Sequence, residues 1–335
     1  MATLFARMGL TVATIVLLLV VGFAPAANAQ QLAQVNPTAS SVQEDKLLQE
    51  LRRVQGRITI PDERAAVLIQ PAGQDWRFFR QVTLQWIGAI AILGMLLVLV
   101  IFYLWRGMVR IQAGRSGRTI LRFNGFERFI HWITAGTFVI LTISGLNLTF
   151  GRALLLPLMS AEAFTAWSQW AKYAHNYLSF PFTIGLIVIF LMWIGSNIPN
   201  RADATWIREG GGILNPNKHP PAYRFNAGQK VIYWVVVIGG AAMAISGYVL
   251  MFPFYADIGI AGMQTAEVVH GVAAMLFVAV MLAHIYIGTL GMEGAFEAMG
   301  TGEVDVNWAK EHHRLWVEEE MSGTSGAKAR MTPAE

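Results

Sequence analysis

Residues 263–290 read Met263-QTAEVV-His270-GVAAMLFVAVMLA-His284-IYIGT-Leu290, a run with one acid, Glu267, and no lysine or arginine. It exceeds the ~20 residues that an α-helix needs to cross a hydrocarbon layer, and in lipid a helix satisfies its own backbone polar groups. An ionisable side chain at that depth is costly, so the two histidines point to function. They lie 14 residues apart, about 21 Å along a helix and within about 40° of one helical face. One helix thereby presents two imidazoles to a bundle interior at two depths.

Four further apolar stretches precede it: Val82–Trp105, without a charge, then about Ile130–Phe150, about Trp170–Ile194, and Val231–Phe254. Only 14% of the 335 residues are charged and 55% are hydrophobic, whereas soluble domains carry charge on about a quarter of their residues. The fold class expected is an all-α integral membrane protein, a bundle of five transmembrane helices. Trp105, Trp132, Trp167, Trp170 and Trp193 stand near span ends, where an aromatic belt is expected. Ahead of the spans, residues 1–29 carry the marks of a signal peptide: Arg7, the apolar run Gly9–Val21 and Ala27-Asn28-Ala29 as a cleavage site. Residues 30–81, broken by Pro37, Pro61 and Pro71, read as an exported, weakly structured extension with a short helix near Glu44–Gln55.

Cysteine is absent, which excludes disulfides, thiol catalysis, cysteine-held iron–sulfur clusters and covalently attached haem. The net charge of +4 is a topology signal. Arg106, Arg110, Arg115, Arg118 and Arg122 follow the first span, and Arg201, Arg208, Lys218, Arg224 and Lys230 lie between the third and fourth. The opposite loops hold only Arg152, Glu162 and Asp257. The positive-inside rule places residues 106–126, 196–230 and the C-terminal tail (296–335) in the cytoplasm, with the N-terminus exported. This distribution argues against nucleic-acid binding.

Of seven histidines, His219, His312 and His313 fall in aqueous segments, where solvated or partner-contacting roles are the default. His131, His175, His270 and His284 fall in the spans. Each taken singly also fits a hydrogen-bonded packing residue. By span direction, however, His131 and His284 share a depth near the cytoplasmic side, and His175 and His270 share a depth near the exported side. Paired neutral imidazoles from facing helices are what a six-coordinate b-type haem requires, and two such haems form an electron path across the bilayer. Arg128 and Lys172, each one turn before a histidine, are candidate propionate partners, and interfacial snorkelling suits them equally. Gly136, Gly145, Gly185, Gly247, Gly271, Ala273 and Ala274 offer room for a flat macrocycle. A zinc or di-iron site wants carboxylates at one depth, where only Glu267 is available. A haem-free anchor or transporter is the alternative of another class.

Spans two to five resemble the membrane cytochrome b (gamma) subunit of respiratory formate dehydrogenase. The resemblance rests on Phe126-Glu-Arg-Phe-Ile-His131-Trp132, Lys172-Tyr-Ala-His175, Asn197-Ile-Pro199 with Trp206, Phe225-Asn226-Ala227-Gly228-Gln229-Lys230, the His270–His284 spacing, and Trp308-Ala-Lys-Glu-His312-His313-Arg-Leu-Trp316. It covers roughly residues 118–320, and the histidine spacing alone also fits hydrogenase or other quinone-linked cytochromes. The resemblance implies a four-helix di-haem domain over 118–295 with two haem b groups, bound by His175 with His270 and by His131 with His284. It implies a quinone pocket beside the second haem, formed by Asn226, Gly228, Gln229 and His284; for Asn226 a plain helix-capping role fits as well. It also implies an iron–sulfur (beta) partner, a formate-oxidising molybdenum or tungsten (alpha) subunit, and a bacterial inner membrane location. Residues 82–105 depart from the four-helix pattern and are expected to form an extra span outside the haem bundle.

Overall fold

The computed structural model describes residues 71–213, 215, 218–323 and 332–333. The expected signal peptide and the expected helix near Glu44–Gln55 lie outside these, as does most of the 30–81 extension. The chain divides into two units, Met1–Thr83 and Leu84–Glu335. The described part of the first is a helix, Pro71–Phe78, with a π-helical turn, Phe79–Thr83.

In the second unit, α1 (Leu84–Arg106), α2 (Gly125–Leu154) and α3 (Ala161–Trp193) are followed by the short α4 (Arg201–Arg208), then α5 (Ala227–Met251) and α6 (Gly259–Tyr286). Five of the described helices, all but α4 among these, are long and apolar enough to cross a membrane. The chain is a multi-pass membrane protein. Helices α2, α3 and α5 start ahead of the apolar runs because polar caps precede them. Asn124 accepts from Glu127 N while Glu127 accepts from Asn124 N, Ser160 accepts from Ala163 N, and Asn226 and Gln229 repeat the reciprocal box. These caps satisfy backbone N–H groups that the helix itself leaves unpaired.

Helix α2 packs along α3, and α5 along α6, with α5 also against α3; α1 lies along α6. Glycines set the close approaches. A Cβ at Gly185 of α3 would strike Thr134 of α2, one at Gly240 of α5 would meet Leu186 of α3 at 2.8 Å, and one at Gly271 of α6 would meet Leu84 of α1 at 2.7 Å. Helix α1 buries Leu84, Gly88 and Ala89 near its start and exposes Leu97, Ile101 and Leu104 further along. It thus flanks α6.

The C-terminal segment folds back to cap one end of the bundle. Strand β1 (Arg118–Leu121) pairs antiparallel with β2 (Glu303–Asp305), Ile120 facing Val304, and Thr332–Pro333 adds to its other edge. Two helices follow β2: α7 (Val306–His312) and α8 (Arg314–Met321). Ile120, Phe123, Trp193, Phe225, Trp308 and Trp316 share one buried core here. The loops after α1 and α3 and the C-terminal segment, read from their charges as lying on one side, therefore meet at one end.

Two sequence expectations change at this core. Trp193 is only 6% exposed and donates its Nε1–H to Glu127 Oε1 at 2.8 Å, so it is a core residue and not part of an interfacial belt. His313, expected in an aqueous setting, is fully buried between Trp308 and Trp316.

Candidate functional site

The four span histidines form two facing pairs. His131 of α2 and His284 of α6 have ring centroids 6.4 Å apart, inclined at 63°. His175 of α3 and His270 of α6 have centroids 6.2 Å apart, inclined at 69°. These are the pairings read from depth in the sequence, and α6 contributes to both. Phe277, midway between its two histidines, packs with Phe182 and Met281, and Phe138 of α2 meets Phe277 edge-on at 5.1 Å. An apolar layer thus separates the two levels. Among the described residues no group of three or more His, Cys, Asp or Glu gathers as a metal cluster.

The pairs differ in what stands behind the rings. His175 Nδ1 lies 2.8 Å from Ser144 Oγ on α2, and His270 Nδ1 lies 2.9 Å from Ser246 Oγ on α5. Each hydroxyl also reaches back to its own helix: Ser144 to the carbonyls of Ile140 and Leu141, Ser246 to those of Ala242 and Met243. A serine has one proton to give. With that proton spent on a carbonyl, the oxygen accepts from the imidazole Nδ1–H, which leaves the Nε2 lone pair free. His131 Nδ1 is buried without a hydrogen-bond partner among the described residues.

The small residues proposed as room for a macrocycle divide by role. Gly145 and Gly247 face the Cε1 atoms of His175 and His270 at 3.5 and 3.2 Å from where a Cβ would stand, and Gly136 faces open space. Gly185 and Gly271 instead serve helix–helix approach. Arg128 is half-buried; its Nη1 donates to Gly300 O at 3.1 Å, and its Nε is buried without a partner among the described residues. Lys172 is exposed one turn before His175.

At the start of α5, Asn226 Oδ1 accepts from Gln229 N and Gln229 Oε1 accepts from Asn226 N, at 3.0 and 3.1 Å. Both side-chain oxygens are used by the cap, so what these residues offer a ligand is their NH2 groups. A Cβ on Gly228 would meet Trp206 at 2.9 Å.

Sequence reasoning passed over a charged hub at this end. Glu127 Oε1 accepts from Arg224 Nη2 at 2.6 Å, beside its bond from Trp193. Arg122 Nη2 donates to Arg224 O at 2.6 Å and lies 3.0 Å from His313 Nε2, while His313 Nδ1–H donates to Tyr223 O. The Arg122 guanidinium stands over Phe123, Trp308 and Trp316. Burial, and then the charge of Arg224, push Arg122 down to about 9. Burial, and then the charge of Arg122, hold His313 well below the ordinary imidazole value, so it is neutral and accepts from the arginine.

A family model for prokaryotic cytochrome b561 matches residues 122–302, which include all four span histidines. The chain belongs to the prokaryotic cytochrome b561 family. As a cytochrome b it is a haem b protein. Among curated relatives it is similar to the formate dehydrogenase cytochrome b556(fdo) subunit of Escherichia coli K12, at 30% identity over 60% of this chain and 93% of that subunit. The nitrate-inducible cytochrome b556(Fdn) subunit of the same organism is 24% identical over 61% of this chain and 93% of its own length. The formate dehydrogenase cytochrome b556 subunit of Haemophilus influenzae is 24% identical over 64% and 88%.

Proposed function

We propose that the chain is the membrane cytochrome b subunit of a formate dehydrogenase, holding two haem b groups. His175 with His270 takes one and His131 with His284 the other. The observation that carries this reading is the ring spacing. An imidazole nitrogen binds a first-row metal at about 2.0–2.1 Å and its ring centre stands roughly 1.1 Å further back, so two histidines that held one iron between them would have ring centres about 6.3 Å apart. The two pairs stand at 6.2 and 6.4 Å. The Ser144 and Ser246 hydroxyls favour the tautomer that ligates through Nε2, and Gly145 and Gly247 leave those rings room. The buried, unpartnered Nε of Arg128 suits a propionate beside His131, with Lys172 in the matching position beside His175.

Bound there, the haems supply one-electron relays from one membrane face to the other. The basic loops support an exported N-terminus and a cytoplasmic end cap in a bacterial inner membrane. The donor is then an iron–sulfur subunit docked at the exported face, fed by a formate-oxidising molybdenum or tungsten subunit. Inward electron movement works against the membrane potential by about 2.3 kcal/mol per 100 mV, so a strongly reducing donor such as formate is required. The acceptor is quinone near the start of α5. The NH2 groups of Asn226 and Gln229, and the first-turn backbone N–H groups around Gly228, are donors for its oxygens, with His284 reaching the haem on that side.

The test is formate-driven reduction of a b-type α-band in membranes holding the whole complex. Reduction by formate supports the reading. A band that responds to hydrogen and not to formate would assign the chain to a hydrogenase, and no b-type band would remove the haem reading altogether.

A further inference from the structure

Residues 143–145 and 245–247 are the same tripeptide, Ile-Ser-Gly, once in α2 and once in α5. The two copies stand in equivalent places. In the α2–α3 pair, Ser144 Oγ lies 2.8 Å from His175 Nδ1 and Gly145 faces its Cε1. In the α5–α6 pair, Ser246 Oγ lies 2.9 Å from His270 Nδ1 and Gly247 faces its Cε1. Both serines are buried, at 3% and 6% exposed, so water does not compete for either hydroxyl. Among the described residues no side-chain hydroxyl is hydrogen-bonded to His131 or His284, and His131 Nδ1 is buried and unpartnered.

We infer that Ser144 and Ser246 are positioning residues which orient His175 and His270 and hold the redox potential of that site below that of the His131–His284 site. This rests on the haem assignment above. A ligating histidine that donates its second N–H to an acceptor is fixed in orientation and becomes the more basic ligand. A more basic axial ligand stabilises the oxidised iron, and outer hydrogen bonding is one of the means by which a protein sets a haem potential. Each of the Ser144 and Ser246 hydroxyls has two carbonyls of its own helix within reach, and with its one proton given to a carbonyl it is an acceptor toward the ring. Two serine-backed ligands at one level, and none among the described residues at the other, give the levels unequal potentials. The lower one sits on the side where electrons enter, so transfer toward the cap end runs downhill.

Redox titration of the b-type absorption in the purified complex tests this. The wild type is expected to titrate in two components, with the lower one lost in His175→Ala. In the Ser144→Ala, Ser246→Ala double variant the lower component should shift upward while the upper one stays in place. Ser144→Thr with Ser246→Thr, which keeps both hydroxyls, should restore the lower value. Ser179→Ala, whose hydroxyl bonds Asn176 O and, among the described residues, nothing else, should change neither. Should the alanine variant lose the lower component outright, its return in the threonine variant supports the same positioning role. A double alanine variant that titrates like the wild type, or one in which both components move together, overturns the inference and leaves the haem assignment standing. A wild-type chain without two b-type components would instead overturn the haem assignment.

Discussion

Glu127 is the carboxylate that joins α2 to the end cap, and Glu127→Gln removes its charge at nearly constant volume. Its Oε1 accepts from Arg224 Nη2 at 2.6 Å and Trp193 Nε1 at 2.8 Å, and its Oε2 accepts from Asn124 N at 2.9 Å. An amide has one oxygen. Whichever way the glutamine turns, its NH2 points at a donor, and Arg122 and Arg224 lose their shared counter-charge. Breaking a buried ion pair costs about 3–5 kcal/mol. The Arg224 side chain is 31% exposed against 7% for Glu127, so water recovers part of the loss, and about 2–3 kcal/mol is the fitting figure. That is a roughly 30- to 160-fold fall in the folded-to-unfolded ratio. Equilibrium unfolding in mixed micelles, titrated with a denaturing detergent, would read it. A second variant, Glu127→Gln with Arg224→Met, should recover part of the loss because the orphaned guanidinium is gone. A Glu127→Gln chain within about 0.5 kcal/mol of wild type would refute the reasoning, since a surface substitution away from such a hub costs that little.

Asn226→Ala should cost about 1 kcal/mol through the lost cap and slow quinone reduction while formate still reduces the haem band. Asn226→Asp, which keeps the cap and removes the NH2 group, should impair quinone reduction alone. Gly247→Val should displace the His270 ring, which lies 3.2 Å from the Cβ position, and remove one of two b-type components from the spectrum. The end cap should weaken in acid. His313 is held neutral well below its ordinary value by burial and Arg122, while the unfolded chain binds a proton there at about pH 6.5. Stability is therefore full above that pH and falls as pH drops below it; His312, pushed down to about 4 chiefly by burial, adds to the same trend. Amide exchange over residues 303–321 should be faster at pH 5 than at pH 7, after correction for intrinsic rates, and the difference should shrink in His313→Gln.

What the sequence made legible follows from periodicities that operate within one helix. The apolar runs located the spans, and the 14-residue separation of His270 and His284 placed two imidazoles on α6. The position of Asn226 at the start of a span made a cap as natural a reading as a ligand site, and the structure realises the cap, with Gln229 completing it. Span direction also paired the histidines across helices, but individual hydrogen bonds between helices stayed hidden. Ser144 and His175 are 31 residues apart and Ser246 and His270 are 24 apart, and a serine in a span ordinarily bonds its own helix. The repeated Ile-Ser-Gly was the available signal. Trp193 sits at a span end and reads as interfacial, yet the folded-back C-terminal segment covers that end. The same cover buries His313, whose neighbours in sequence are polar.

Haem content per chain, measured from the reduced-minus-oxidised spectrum of the complex with its four single histidine-to-alanine variants, addresses the central claim most directly. Two b-type haems per wild-type chain are expected. His175→Ala and His270→Ala should each lose the same component, and His131→Ala and His284→Ala should each lose the other. A single haem, or variants that do not fall into those two pairs, would contradict the assignment.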